Sequence, residues 1–246
     1  MESVKKRMME GKLRTMNESN TEVLQRFAGI CRQKMVTIRK VDDDIQKVLS
    51  LFGMDVHKKT MQKTIFGIRK VCKCFPPAEN MNKFIYGKLC EMILIDMFDS
   101  LGFVCTDLDS THNVGSEYIN DIGITHPSLD ISMKFSIKTS KSGGKVTIIN
   151  KRNVQKHDFK WKKEVCFIML QIEKSHIYVF RNNDDFTKYI HETGDGIHFK
   201  SGIFTFLKKS TKYTYQFPEL SEEQEKELDN VQPVDGYQVL KDYLNL

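Results

Sequence analysis

Two neighbouring segments, Asn120-Asp-Ile-Gly-Ile124 and Asp130-Ile-Ser-Met-Lys-Phe-Ser-Ile-Lys138, decide the fold of this chain. Both predict short β-strands, because apolar residues recur at alternate positions along them. Successive side chains of a strand point to opposite faces of its sheet. One face of the second strand then carries Lys134, Ser136 and Lys138, and the other carries Met133, Phe135 and Ile137. An acid beside a polar-x-Lys triplet is what a metal-dependent phosphodiesterase needs, since a carboxylate holds Mg²⁺ against the phosphate and a lysine lies beside the attacking water.

Four helical segments are predicted before these strands. Apolar residues recur at helical spacing over residues 21–35, 41–52 and 61–74, and a strongly apolar helix runs from Asn80 or Asn82 to about Leu101. Phe75-Pro-Pro77 interrupts the helical pattern. We therefore predict a basic helical N-terminal lobe over residues 1–77 and a core over residues 78–246 that ends in an acidic tail.

The segments that surround the two strands predict a mixed sheet. A strand is expected over 103–108, and the turn at Ser142-Gly-Gly144 predicts a hairpin that pairs 145–149 with the strand before it. The continuous apolar run 165–172 predicts a strand buried on both faces, in a hairpin with 176–180. A short helix over 184–191 and a late strand over 202–207 complete the expected elements. The expected fold class is α/β, a mixed sheet flanked by helices.

Composition describes a soluble globular chain. Of the 246 residues, 40% are hydrophobic and 28% are charged, and no apolar run approaches the roughly 20 residues of a membrane span. The first residues lack the apolar stretch of a secretory signal, so a cytoplasmic protein without a membrane partner is expected. The six cysteines show no zinc-binding spacing, which favours reduced, buried thiols.

Positive charge is concentrated on both sides of the candidate strands. Residues 1–74 carry 17 Lys and Arg against 8 acids, and residues 138–163 carry 9 against Asp158 alone. Residues 219–246 carry 8 acids and two lysines. Two basic blocks around a candidate site suit a polyanion that lies across it, although a generally basic surface would give the same counts.

Three acidic residues are candidates for the metal ligand. Asp121 follows a polar loop into an apolar strand, where Asp is disfavoured, so it either binds an ion or forms a turn before the strand. Asp130 is its rival, but its eight-residue separation from Lys138 is about 25 Å of strand. Glu91 lies among apolar neighbours on the preceding helix, where it either serves a site or pairs with Lys88 at the surface.

The order of these residues resembles a known pattern. Helical Glu91, then Asp121, then Ser136-Ile-Lys138 on the next strand is similar to the PD-(D/E)XK nuclease superfamily, and to type II restriction endonucleases within it. The resemblance covers roughly residues 82–172. Asn120 stands in place of the usual Pro, and Ser136 stands where the family has Asp or Glu.

The resemblance implies a function and a set of roles. Asp121 and Glu91 would ligate Mg²⁺ with the Ile137 carbonyl, Lys138 would position the water, and Ser136 would hydrogen-bond a ligand. The chain would be a restriction-endonuclease-like enzyme that cuts double-stranded DNA at specific sequences, leaves 5′-phosphates and acts as a homodimer. A structure-specific or repair nuclease of the same fold, or an inactive DNA-binding protein, is the alternative.

A basic segment after the candidate strand is the expected DNA contact. Amide and basic side chains can read base edges, and the same side chains can hold phosphates without sequence preference. The basic N-terminal helices are the other place for recognition. The predicted DNA-binding residues are Ser140, Lys141, Lys145, Asn150, Lys151, Arg152, Asn153, Gln155 and Lys156.

Overall fold

A computed structural model describes most of the chain. The described residues are 32, 33, 35, 37, 39–76, 80–108, 120–150 and 165–244. Contacts divide the chain into two compact units, Met1–Asp43 and Asp44–Leu246. The described residues of the smaller unit are helical, and the predicted helix over 21–35 lies mostly outside the described residues. The larger unit contains both of the segments that decide the fold.

Three helices begin the larger unit: α1 over 44–52, α2 over Lys58–Cys74 and α3 over Asn80–Ser100. All three confirm predicted helices. Gly53 ends α1, where its N–H donates to the Leu49 and Ser50 carbonyls. Along α2, Met61, Ile65 and Ile68 are buried at helical spacing. Residues 44–76 thus pack within the larger unit, whereas the sequence pattern assigns them to an N-terminal lobe.

The described residues contain two β-sheets, and the mixed α/β class is as predicted. The larger sheet has the order β1-β2-β3-β5-β6-β9, and the smaller has the order β4-β8-β7. Strand β3 pairs in parallel with β5, and the other neighbours in the larger sheet are antiparallel. The strands are β1 Val104–Asp107, β2 Ile122–His126, β3 Ile131–Ser140, β4 Val146–Asn150, β5 Cys166–Gln171, β6 His176–Arg181, β7 Ile190–Thr193, β8 Gly196–Phe199 and β9 Thr214–Gln216.

Helices α4 to α7 lie among and after the later strands, and their bounds are α4 Asp184–Thr187, α5 Gly202–Lys208, α6 Glu222–Asp229 and α7 Gly236–Leu244. The Asn183 side chain caps α4 by accepting from the Asp185 N–H. The predicted helix over 184–191 is therefore real but short, because residues 190–193 pair with β8 as strand β7. No described helix has the length and apolarity that crossing a membrane requires.

Register separates the two faces of the larger sheet. Side chains of directly paired residues point to the same face. Thr139, Leu170, Ile177 and Tyr215 form one such row across β3, β5, β6 and β9. Tyr215 packs on Phe52 of α1 at 5.7 Å between ring centroids, and Phe52 packs on Phe98 of α3 at 5.9 Å. We call this side of the sheet the α3 face.

The other side of the larger sheet carries Lys138, Met169 and Tyr178, which pair directly across β3, β5 and β6. Tyr178 packs edge-on against Phe204 of α5 at 5.8 Å, so we call this side the α5 face. The alternation predicted for β3 is confirmed, since Met133, Phe135 and Ile137 are buried on the α3 face.

Aromatic side chains fill the core between the α5 face and the smaller sheet. The Phe180 ring lies 5.5 Å from Phe167 and 4.7 Å from Phe186, and Phe167 lies 5.1 Å from Phe199 of β8. All four rings are 1% exposed or less. Strand β5 is buried along its whole length, which confirms the strand predicted to be covered on both faces, and its hairpin with β6 is confirmed too.

The predicted hairpin between β3 and β4 is wrong. Strand β4 pairs with β8 in the smaller sheet. The turn before β4 is bonded to the end of β5 instead, because Gln171 Nε2 donates to the Ser142 carbonyl at 2.9 Å and the Glu173 N–H donates to the Lys141 carbonyl at 3.0 Å. These bonds lead the chain away from β3.

The predicted strand over 202–207 is wrong as well, since this segment is helix α5. Ile203, Phe204 and Leu207 are buried together, and Thr205 is exposed. That spacing is helical, whereas a strand would bury Ile203, Thr205 and Leu207 on one face.

The turn between β3 and β4 offers a matched pair of substitutions. Gly143 has φ +102° and packs so closely on Gln171 that a Cβ would collide with its Nε2, whereas a Cβ on Gly144 would meet nothing within 4 Å. We expect Gly143→Ala to lower the free energy of unfolding by roughly 1–3 kcal/mol, because it adds strain and breaks the contact with Gln171. Gly144→Ala should change it by about 0.5 kcal/mol or less. Urea denaturation measures both, and equal losses would contradict the turn geometry.

Candidate active site

Asp121 lies where β2 and β3 separate. The last pair between the two strands is Ile122 with Phe135, and Asp121 immediately precedes β2. Its backbone N–H donates to the Phe135 carbonyl at 2.7 Å, and its carbonyl accepts from the Leu108 N–H at 3.1 Å. Asp121 thus precedes β2 and does not lie within it, and ion binding by its side chain stays a prediction. The backbone of Asp121 is held from both sides.

The Asp121 side chain completes the edge of β3 that β2 leaves open. Its Oδ2 accepts a short hydrogen bond from the Ile137 N–H, a second from Ser136 Oγ at 3.3 Å, and a third from Lys138 Nζ at 3.5 Å. All three bonds fall on Oδ2. Within the described ranges, Oδ1 has no hydrogen-bond partner, so this oxygen remains available to a ligand.

Lys138 and Asp121 form a largely buried ion pair. Their side chains are 17% and 15% exposed. Lys138 is therefore not a lysine that extends along the surface into solvent. A buried ammonium and a buried carboxylate are costly unless they are paired, and here each is the other's partner. The arrangement places a fixed positive charge beside a carboxylate oxygen.

Ser136 is the fully buried member of the triplet. It pairs with Phe167 of β5 across the sheet and therefore lies on the α5 face, as Lys138 does. Its hydroxyl donates to Asp121 and brings no charge of its own. The sequence triplet and Asp121 are thus brought together as predicted, with Asp121 as the acid that contacts both polar members.

The position of Glu91 supports a role in the candidate site less directly than the positions of Ser136 and Lys138 do. It lies on α3, is 17% exposed, and accepts a hydrogen bond from Lys88 Nζ at 2.8 Å. Helix α3 covers the face opposite to the one that carries Ser136 and Lys138. The pairing with Lys88 is the surface alternative that the sequence raised, although Glu91 is less exposed than a solvated glutamate would be. Metal ligation by Glu91 stays a prediction.

The oxygen atoms available here suit a Mg²⁺ ion that takes few ligands from the protein and fills its other coordination positions with water and phosphate. The N–H and C=O of a strand residue point to the same edge, so the Ile137 carbonyl faces the Asp121 side as its N–H does. The described residues include no cluster of three or more His, Cys, Asp or Glu side chains arranged to hold a metal. Mg²⁺ commonly takes one or two carboxylates and keeps several waters. Asp121 Oδ1 and the Ile137 carbonyl fit that requirement.

The predicted DNA-binding residues divide into four groups. Ser140 Oγ accepts from the Gly143 N–H at 3.0 Å and thereby shapes the turn. Lys141 pairs with Glu173 at 3.8 Å, and Lys145 pairs with Asp195 at 3.2 Å, both near the surface. Asn150 ends β4, and its side chain is outside the description. The remaining five lie outside the described residues: Lys151, Arg152, Asn153, Gln155 and Lys156.

A basic cavity beside the site was missed by sequence reasoning. It has a volume of about 450 Å³ and is lined by Gln171, Lys174, Phe204, Thr205, Lys208 and Lys209. The sequence signal was the Lys208-Lys209 pair, which follows an apolar run. Because that run was interpreted as a strand, its lysines could not be placed beside β5.

Comparison of the chain with protein-family models, with curated proteins and with solved structures finds no match.

Asp121 has a structural role that can be measured apart from any chemistry. Asp121→Ala leaves the Ile137 N–H and the Lys138 ammonium without their partner, so we expect the free energy of unfolding to fall by about 1–3 kcal/mol. Asp121→Asn keeps an oxygen that can accept from the Ile137 N–H and should cost less. Urea denaturation of both variants tests this ranking, and an Asn variant as unstable as the Ala variant would contradict it.

Proposed function

We propose that this chain is a Mg²⁺-dependent endonuclease that hydrolyses double-stranded DNA, with a restriction-endonuclease-like fold. One observation carries the proposal: Lys138 Nζ lies 3.5 Å from Asp121 Oδ2, and both side chains are largely buried at the point where β2 and β3 separate. Held in this way, the Lys138 ammonium can contact a phosphate directly, and the Asp121 carboxylate can contact it through a bound cation. The succession of helix α3, Asp121 just before β2 and Lys138 on β3 agrees with the resemblance to PD-(D/E)XK nucleases.

The described residues have separate roles in the proposed reaction. Asp121 Oδ2 is fixed by the Ile137 N–H, so Oδ1 and the Ile137 carbonyl would hold the ion. Bound Mg²⁺ would withdraw charge from the phosphate and lower the pKa of a bound water. Lys138 would orient the attacking water and stabilise the negative charge that develops on the phosphate oxygens. Ser136 would keep Asp121 in position through its hydrogen bond.

The bond changes are those of phosphodiester hydrolysis. The oxygen of water forms a bond to phosphorus, and the bond from phosphorus to the 3′ oxygen breaks in line with it. The water loses one proton to the solvent, and the leaving 3′ oxygen takes up one proton. The products are a 5′-phosphate and a 3′-hydroxyl, with no oxidation or reduction. Action on both strands of a symmetric site would suit a homodimer.

A second candidate function is a DNA-binding protein without cleavage activity. The observation in its favour is Ser136, a neutral, fully buried side chain at the position where the nuclease family has an acid. With one carboxylate at Asp121, the site would bind phosphate through Lys138 and hold the ion weakly. Tight duplex binding without cutting in Mg²⁺ or Mn²⁺ would establish this function.

Lys138 gives the first test, with Lys134 as its matched control on the same strand and face. We expect Lys138→Ala to slow cleavage of a mapped plasmid by about 10²–10³-fold, because it removes the charge that stabilises the transition state. Lys134→Ala should cut within about threefold of wild type. Discrete bands from the wild type would indicate sequence-specific cutting, and preference for branched oligonucleotides would indicate a structure-specific nuclease.

Binding and folding must be measured on the same Lys138 variant. Its affinity for duplex DNA should remain close to that of the wild type, so that the loss lies in the chemical step. Its melting temperature should fall, because Asp121 loses its ion-pair partner, but it must stay well above the assay temperature. A Lys138→Ala variant that is folded and cuts at the wild-type rate would refute the proposed active site.

Metal dependence gives the second test. EDTA should abolish cleavage, and added Mg²⁺ should restore it. If Glu91 is a ligand, Glu91→Gln should raise the Mg²⁺ concentration for half-maximal activity by about 10–100-fold, because the ion loses a charged oxygen. Lys88→Ala is the control, since it breaks the pair with Glu91 and leaves the carboxylate. An unchanged Mg²⁺ requirement in Glu91→Gln would remove Glu91 from the site.

A further inference from the structure

The cavity lined by Lys174, Lys208 and Lys209 lies on the same sheet face as the candidate active site. Gln171 in its wall pairs with Ser140 of β3 and shares the α5 face with Lys138. One strand spacing and two residues of rise separate Lys138 from Gln171, which amounts to about 8 Å between their Cα atoms. Both sites therefore lie at the end of the sheet where the parallel strands β3 and β5 terminate.

The three lysines converge on the cavity from two elements. Lys208 and Lys209 stand at the end of α5, where helix carbonyls attract cations, but Lys174 comes from the turn between β5 and β6. Across the described part of the chain, none of the three forms a salt bridge. Glu173 is adjacent to Lys174 in sequence, but it pairs with Lys141. The cavity thus gathers positive charge that the described protein does not neutralise.

The positive charge of two cavity lysines also affects the pKa of His176, which follows Lys174 by two residues. Burial lowers the pKa of this histidine, and the nearby Lys208 and Lys174 ammonium groups lower it further, against the opposing effect of its hydrogen bond to the Lys174 carbonyl. Both lysines are thus close enough to act on one ring. The wall polar group is already satisfied, since Gln171 donates to the Ser142 carbonyl and accepts from the Tyr178 hydroxyl. Gln171 therefore holds the cavity wall in place, and the three lysines are the groups that can bind a ligand.

The chemistry of the cavity favours phosphate groups over a stacked base. Phe204 is 5% exposed and packs edge-on against Tyr178, so it offers no open ring face. Flexible ammonium groups around a hollow suit phosphate oxygens of variable position.

We propose that this cavity binds backbone phosphates of the same DNA duplex whose scissile phosphate lies at Asp121 and Lys138. The proposal rests on the proposed function, which it deepens by assigning the path of the substrate. The cavity lies on the order of 10–20 Å from Lys138, which corresponds to about three to six base pairs along the duplex axis. The phosphates held there fix the register of the duplex on the sheet edge, and Lys138 acts on the phosphate that this register presents.

The salt dependence of duplex binding tests the proposal. Each phosphate contact contributes about 0.9 to the slope of log K against log salt, since it releases counterions. We expect Lys208→Ala/Lys209→Ala to reduce that slope by roughly 1–2 for a 30-base-pair duplex, and to weaken binding about tenfold or more at 0.15 M salt. The charge-matched control, Lys226→Ala/Lys241→Ala in the acidic tail, should leave slope and affinity near those of wild type. Lys208→Arg/Lys209→Arg should retain the wild-type slope.

Cleavage of the same duplex keeps the two proposals apart. A wild type that binds and cuts, with a Lys208→Ala/Lys209→Ala slope equal to that of the control, overturns the cavity assignment and leaves the nuclease. A wild type that binds with the predicted slope difference but never cuts supports the cavity and refutes the endonuclease. Absence of duplex binding by the wild type refutes both. A melting curve for each variant accompanies the titrations, and if the Ala variant is unfolded, the charge-reversing Lys174→Glu carries the same comparison.

Discussion

The hydrogen bond from the Ile137 N–H to Asp121 Oδ2 is the constraint on which the site depends. Strand β3 is paired with β2 up to Phe135 and with β5 as far as Ser140, so β2 leaves one edge of β3 open beyond Phe135. A buried N–H there would cost about 1–3 kcal/mol without a partner. The Asp121 carboxylate supplies the partner, and the same bond brings its charge to Lys138. One side chain thus completes the sheet and positions the candidate chemistry.

The same geometry explains Ser136. It is fully buried beside Phe167 and faces Asp121. A second carboxylate at this position would be buried within hydrogen-bonding distance of the first, and the two like charges would be costly unless an ion neutralised them. A serine hydroxyl is satisfied by Asp121 at any ion concentration. A serine at position 136 thus avoids that repulsion and leaves the proposed ion with one charged ligand fewer.

Local alternation made β3 and its two faces predictable, and a continuous apolar run made β5 predictable. Both features depend on neighbouring residues alone. The strand that pairs with β4 and the secondary structure of residues 202–207 were not predictable, because both depend on contacts with residues far along the chain. Strand β4 finds β8 about 50 residues later, and the turn before β4 is held by Gln171. Asp121 could be selected from the sequence, since an acid beside an apolar strand is unusual. Glu91 could not be decided, because glutamates are common on helix surfaces.

The turn between β3 and β4, which the sequence wrongly predicted as the turn of a hairpin, also links Lys138 to the basic cavity on the α5 face. It begins at Ser140, two residues beyond Lys138, and Gln171 holds it against the wall of the basic cavity. Gln171 is in turn fixed by the Tyr178 hydroxyl from the buried core. Lys138 of β3 and Gln171 of β5, in the cavity wall, therefore lie on one face of the sheet, and the exposed Lys141 lies in the turn that Gln171 holds. When the backbone segments that carry the charged side chains are held at a fixed spacing, a polyanion binds in fewer registers, even though the ammonium groups themselves move. Under the proposed function, this spacing would set the distance between the cleaved phosphate and the phosphates bound in the cavity.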